Sequence, residues 1–262
     1  MQIAAADIGN SSVKFFFGDA IRICETGQVA WPPSHHLGIE AISGEAPLVG
    51  QPMPWFVSSV NAKHAHLLEQ RLIATNEVSR WHVLQRQEVP LTLDVDQPNT
   101  LGMDRILAGF AAHRLWGAEQ DVIVVDCGTA LTIDLVQRSG VFRGGVIMAG
   151  PATNLRALNM MTEALPSLSQ EKLMKPASVL GRSTREAMLG GAWFSGLGAI
   201  RTVVDEMQAL CETPPRIVGT GGGLGPWRDV LPKDWILADD LVLKGLFHVA
   251  VRLMQEPHYG TE

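Results

Sequence analysis

Cysteine is scarce: the 262-residue chain has 3, Cys24, Cys127 and Cys211. None are close in sequence and no C-x-x-C occurs, which argues against a disulfide framework or a zinc site and fits a reducing compartment. Basic clusters are missing as well. The formal net charge is -6 and no run of Lys and Arg overrides it, so nucleic acid, whose phosphates need neutralising, is not an expected partner. No segment approaches the roughly 20 charge-free apolar residues of a membrane-spanning helix. The first apolar run carries Asp7 and has no basic stretch before it, so no signal peptide is expected. These absences together predict a cytoplasmic protein that does not engage a membrane.

What is present is ordinary globular composition, 46% hydrophobic and 18% charged, enough for one large or two modest domains. One plan appears twice. Ile3 to Phe17 reads as an apolar run, Asp7-Ile8-Gly9, small polar residues and a second apolar run. Val124 to Val136 repeats it around Asp126-Cys127-Gly128. Each reads as strand, turn, strand. Trp55 to Val60, Trp81 to Leu84, Phe142 to Ile147 and Arg216 to Val218 read as further strands. Helices are predicted over Ala62 to Ala74, Arg105 to Trp116, a segment opened by Pro151, a segment starting at Ser183 or Thr184, and Leu241 to Met254. The expectation is an α/β protein made by internal duplication, with domains 1–117 and 118–262.

The doubled hairpin has a physical rationale. Glycine permits close approach of a ligand, and the amides of Gly9, Asn10 and Ser11 form a concavity suited to phosphate oxygens. An aspartate at the strand end repels phosphate unless a cation lies between, and Mg²⁺ accepts carboxylates, waters and phosphate oxygens together. Asp7 is therefore a candidate metal-side carboxylate, and Gly128-Thr129 beside Asp126 a second cradle. Two such hairpins facing each other would hold a nucleoside triphosphate from both sides. Lys14 is placed to reach the phosphates. Each feature also has a plainer reading: Asp-x-Gly as a simple turn, Lys14 as a surface ion-pair member, Asp134 as a strand-edge residue. The run Gly219-Thr220-Gly221-Gly222-Gly223 would admit a flat ring or ribose, or be a flexible connection. It is not a Walker A loop, since no lysine follows in register.

Five motifs in order, Asp7-Ile8-Gly9-Asn10-Ser11, Gly102-Met103-Asp104-Arg105, Asp126-Cys127-Gly128-Thr129-Ala130, Gly144-Gly145-Val146-Ile147 and the glycine run after Gly219, resemble those of type III pantothenate kinases. That family belongs to the superfamily of acetate and sugar kinases, actin and heat-shock chaperones, and the resemblance runs from residue 3 to about 250. It implies two ribonuclease-H-like, actin-like domains with a nucleotide cleft, and ATP-dependent phosphorylation of pantothenate, the first step of coenzyme A synthesis. It implies Mg²⁺ with ATP, a monovalent cation (K⁺ or NH₄⁺), and a homodimer. Carried over residue by residue, it assigns Asp7, Ile8, Gly9, Asn10, Ser11, Ser12, Val13, Lys14 and Thr129 to ATP. Gly102, Met103, Asp104, Arg105 and Thr184 fall to pantothenate, Asp104 as proton acceptor, and Asp126 to the monovalent cation.

These assignments suit phosphoryl transfer, which asks for positioning and charge stabilisation and a base for the attacking hydroxyl. Arg105 offers a planar fork to a carboxylate. On residue type alone, Asp104 is equally a helix N-cap and Arg105 a surface residue of the first turn. The sequence departs from the family at Ser11 (usually Thr), Ala149 (often Pro) and Val95 (often Tyr). A non-catalytic, nucleotide-binding accessory member of the family is the alternative function. A ribonuclease-H-like nuclease would need a basic groove that the charge does not supply. Lys63-His64-Ala65-His66 does not read as a metal site, since i and i+2 do not share a helix face, nor does His35-His36 in its Pro-flanked loop, and Cys127 reads as a small buried side chain.

Overall fold

In chain order the strands and helices are β1 (Gln2–Ile8), β2 (Ser12–Asp19), β3 (Ile23–Ala30), β4 (Met53–Ser59), α1 (Ala62–Ala74), β5 (Val78–Val83), β6 (Thr92–Leu93), α2 (Met103–Trp116), β7 (Val122–Cys127), β8 (Ala130–Val136), β9 (Val141–Ala149), α3 (Pro151–Met161), α4 (Thr184–Gln208), β10 (Arg216–Thr220), β11 (Ile236–Leu237) and α5 (Leu241–Gln255). This computed structural model describes residues 2–9, 12–19, 23–30 and 52–256. Asn10, Ser11 and His35-His36 lie outside the described residues.

The chain divides into two units. One is Met1–Leu91, Asp96–Ala111 and Leu241–Glu262; the other is Thr92–Val95 and Ala112–Asp240. The division falls inside α2 rather than at 117, and the closing helix α5, expected with the second half, belongs to the first unit.

The first sheet has the order β3-β2-β1-β4-β5. β1 runs antiparallel to β2 and parallel to β4, β3 is antiparallel to β2, and β5 is parallel to β4. Alternation along the strands sends successive side chains to opposite faces. Ala4, Ala6, Phe15, Phe17, Trp55 and Val57 face α1 through its Ala65, Leu68 and Leu72. The Asn61 side chain starts α1 by accepting the amide of His64 at 3.1 Å, an N-cap after which the helix ladder begins with the Ala65 amide donating to the Asn61 carbonyl at 3.0 Å. The other face carries Ala5, Phe16 and Phe56 and is covered by α5, where Phe16 and Phe247 meet edge to face at 5.3 Å. The alanines of β1 let helices pack on both sides. α5 also lies against α2: a β-carbon at Gly245 would stand 2.2 Å from the Leu107 carbonyl oxygen.

The second sheet has the order β11-β10-β7-β8-β9-β6. β7 is antiparallel to β8 and parallel to β10, β8 is antiparallel to β9, and β10 is parallel to β11. The five strands β9-β8-β7-β10-β11 thus repeat the first sheet in order and direction, with β6 added at the edge of β9. The core on one face is Ile123, Val125, Cys127, Leu131 and Ile133 packed on Trp193, Leu197, Ile200 and Val204 of α4. α4 is 25 residues long and, by length and composition, apolar enough to cross a membrane, which departs from the expectation that no segment would be. Its buried residues Met188, Trp193, Leu197 and Ile200 form part of this core.

Candidate active site

Each duplicated hairpin is closed by its glycine. In the first unit the Gly9 amide donates to the Ser12 carbonyl at 2.9 Å, after the register pairs Ile8 with Val13 and Asp7 with Lys14. In the second, the Gly128 amide donates to the Ala130 carbonyl at 2.8 Å, and Cys127 pairs with Leu131. The second loop is therefore one residue shorter. The side chains of Ile8 and Val13 are buried in the first core, so what they can offer a phosphate is backbone. Asp7 is half-buried at the end of β1 and is in register with Ser58 of β4.

Asp126 occupies the matching place in β7. It pairs with Thr132 on one side and Thr220 on the other. The glycine run after β10 folds against this hairpin. Gly221 has φ 88°, and a β-carbon there would stand 2.6 Å from Asp126 Oδ1 and 2.3 Å from the Cys127 carbonyl oxygen. One at Gly223 would stand 2.6 Å from Cys127 Sγ. The glycines thus admit the second hairpin itself, and are not the flexible connection that composition also allows. Cys127 is buried, and burial together with Asp126 pushes its thiol up to about 12, so it is no nucleophile.

The start of α3 braces the same hairpin. The Gly150 amide and the Thr153 hydroxyl both donate to the Thr129 carbonyl, at 3.0 and 2.7 Å. A β-carbon at Gly150 would lie 2.2 Å from the Gly128 carbonyl oxygen, so only glycine fits. Ala149, where the family often has proline, ends β9 in register with Ala130, and Pro151 opens α3. Val95 sits beside Gly144: a β-carbon on that glycine would be 3.6 Å from Val95 Cγ1.

Asp104 lies in the first turn of α2, where its Oδ1 accepts the Arg105 amide at 2.9 Å. It is not the N-cap: the helix begins at Met103, and the Ile106 amide donates to the Gly102 carbonyl. Gly102 leaves room for the carboxylate as placed, since a β-carbon would stand 2.4 Å from Asp104 Oδ1. Arg105 is half-buried, while the Met103 side chain is in the core. Thr184 is exposed at the first position of α4. Ser183 caps that helix by accepting the Glu186 amide, and Glu186 accepts the Arg182 amide in return. Asp7, Gly102, Asp104 and Arg105 belong to the first unit, and Asp126, Thr129 and Thr184 to the second.

Asp134 corrects a sequence expectation. It is not at a strand edge but inside the second sheet at 2% exposure, paired with Val124 and Gly145. A β-carbon at Gly145 would stand 2.0 Å from the Ile133 carbonyl oxygen and 2.4 Å from Asp134 Oδ1. The Gly144-Gly145 motif therefore makes room for a buried carboxylate, a relation no periodicity reveals.

Among the described residues no group of three or more His, Cys, Asp or Glu side chains could hold a metal. His66 instead lies 3.7 Å from Glu69 on an exposed helix face. A single carboxylate such as Asp7 is compatible with Mg²⁺, which binds through one or two carboxylates, waters and substrate phosphates rather than through an all-protein cage.

The model of the type III pantothenate kinase family matches residues 3–206. A type III pantothenate kinase of Alkalilimnicola ehrlichii is 33% identical over 254 residues, 93% of this chain and 96% of the relative. One of Gluconobacter oxydans is 36% identical over 158 residues, 60% of this chain and 57% of the relative. Among solved structures, a candidate 2-dehydro-3-deoxygalactonokinase of Sinorhizobium meliloti superposes with a TM-score of 0.61 at 15% identity, over 97% of this chain and all of that one. That likeness shows the two-domain actin-like fold. The chain belongs to the type III pantothenate kinase family.

Proposed function

We propose that the chain carries out the reaction of its family, transferring the terminal phosphoryl group of ATP to the hydroxyl of pantothenate to open coenzyme A synthesis. The observation that carries this reading is the duplicated Asp-x-Gly hairpin, set at the same strand end in two sheets of the same order, in a chain whose family is defined by that chemistry.

The roles follow from chemistry. The loop amides that follow Gly9 and the Lys14 ammonium bind phosphate oxygens, with Ile8 and Val13 contributing backbone alone, while the Gly9 amide closes the hairpin on the Ser12 carbonyl. Asp7 faces the divalent cation, and Mg²⁺, when bound with ATP, supplies neutralisation of the phosphate charge. Thr129 contacts ATP. Asp126 holds the monovalent cation, K⁺ or NH₄⁺. Gly102, Met103, Arg105 and Thr184 bind pantothenate, Arg105 through the substrate carboxylate. Asp104 accepts the proton of the attacking hydroxyl as the bond to phosphorus forms. Its Oδ1 is held by the Arg105 amide, which fixes the carboxylate and presents the second oxygen to the alcohol.

Two further features belong to this reading. The first is a homodimer. Met160 and Met161 at the end of α3 are 74% and 83% exposed, and Ile147, Val179 and Leu180 are exposed as well. Such apolar area favours a partner surface. The second is a cytoplasmic setting, which the sparse cysteines, with Cys127 and Cys211 free, favour. Coupled measurement of ADP release tests the activity: pantothenate-dependent turnover is expected with Mg²⁺ and K⁺ present. ATP binding without turnover would instead support an accessory role.

A further inference from the structure

Ser58 Oγ is fully buried and makes no hydrogen bond among the described residues, and the residue as a whole is 0% exposed. An unmade hydrogen bond on a buried hydroxyl is destabilising, and such groups in native proteins have a partner in water or ligand. Its neighbour shows the contrast. Ser59, on the opposite face of β4, donates to the Asn61 carbonyl at 2.9 Å and accepts the Asn61 amide at 3.0 Å. Ser58 points to the face that Asp7 shares, because the two are register partners on adjacent parallel strands. Lys14 flanks Asp7 on its other side. The second unit repeats the arrangement, with Thr220, 4% exposed, paired to Asp126. Duplication has thus put a buried hydroxyl beside the strand-end aspartate twice. A serine in this place is not explained by packing, since alanine would fill it without an orphaned oxygen.

We propose that Ser58 is a positioning residue for the divalent cation: its Oγ accepts a hydrogen bond from a cation-bound water that Asp7 also contacts. The chemistry fits, because Mg²⁺ keeps several of its waters and a bound water turns its hydrogens outward to acceptors. This inference rests on the reading of Asp7 as the metal-side carboxylate.

Binding of Mn²⁺ to the protein–ATP complex, followed by electron paramagnetic resonance, tests it in the full-length protein. Ser58→Ala is expected to weaken Mn²⁺ binding about fivefold to tenfold, the scale of one lost hydrogen bond. The Mg²⁺ concentration for half-maximal turnover rises by a like factor and the KM for pantothenate does not move. The Tm without metal or nucleotide is expected to stay level or rise, because the orphaned hydroxyl is gone. Ser58→Gly, which also lacks the hydroxyl, is expected to show the same loss of Mn²⁺ affinity. Asp7→Asn separates the two layers of the argument. Weak Mn²⁺ binding in Asp7→Asn with wild-type binding in Ser58→Ala overturns the role of Ser58 and leaves the Asp7 site standing. Wild-type binding in both variants overturns the Asp7 site, and the role of Ser58 with it.

Discussion

Asp7 and Asp126 are the same residue of a duplicated design. Each is the penultimate residue of a strand that is antiparallel to the next strand in the chain and parallel to a later one, and each is in register with a buried hydroxyl, Ser58 or Thr220. The equivalence is topological, and it places in each hairpin a carboxylate two residues before the glycine that closes the loop.

Asp104→Asn is expected to fold and to bind ATP as the wild type does, since asparagine keeps an oxygen for the Arg105 amide. Turnover should fall by about 10²- to 10⁴-fold, the usual contribution of a positioned base. Steady-state ADP release and a thermal melt together check this. Near-normal turnover would remove Asp104 from the base role.

Asp126→Ala should weaken activation by monovalent cations. Titration of turnover with K⁺ at fixed Mg²⁺ and ATP measures it. The expected outcome is a higher K⁺ requirement or lost activation, and an unchanged K⁺ curve would contradict the assignment.

Gly150→Ala should push the start of α3 off the second hairpin, because the new methyl meets the Gly128 carbonyl at 2.2 Å. Steric insertions of this kind cost about 1–3 kcal/mol, to be read from denaturant unfolding. Stability equal to that of the wild type would mean that the brace between Gly150 and Thr129 is not tight.

Cys127 should resist alkylation in the native protein at pH 8 and react on unfolding, because burial and Asp126 raise its thiol from 9.0 to about 12. The sign for stability follows. The folded state holds this proton more tightly than the unfolded one, so its contribution is intact below pH 9.0 and is lost as pH rises through about 12. Cys127→Ala should flatten the fall in stability over that alkaline range. An equal fall in both proteins, measured by unfolding at several pH values, would contradict the assignment.

The repeat was legible because its signals are local. Apolar runs broken by Asp-x-Gly marked both hairpins, and the helices over 62–74 and 241–254 follow the pattern seen in α1 and α5. What stayed hidden depends on partners distant in the chain. α5 follows the second half in sequence but covers β1 and β2 through contacts such as Phe247 on Phe16. β3, ICETGQVA, has too mixed a pattern to read as a strand without β2 beside it. The unit boundary lies within α2, between Ala111 and Ala112, where a continuous helix gives no linker to read. At the site, Asp7 and Asp104 stand out by motif. Ser58 reads as one more small residue at a strand end, and its burial beside Asp7 exists only once β4 pairs with β1. Asp134 was hidden likewise, because its room is made by Gly145 on the next strand.

The most direct test of the central claim is identification of products by mass spectrometry after incubation of the protein with ATP, pantothenate, Mg²⁺ and K⁺. Phosphopantothenate and ADP in equal amounts, absent when pantothenate is omitted and sharply reduced in Asp104→Asn, is the predicted result. ADP formed without phosphopantothenate, or no product in the wild type, would contradict it.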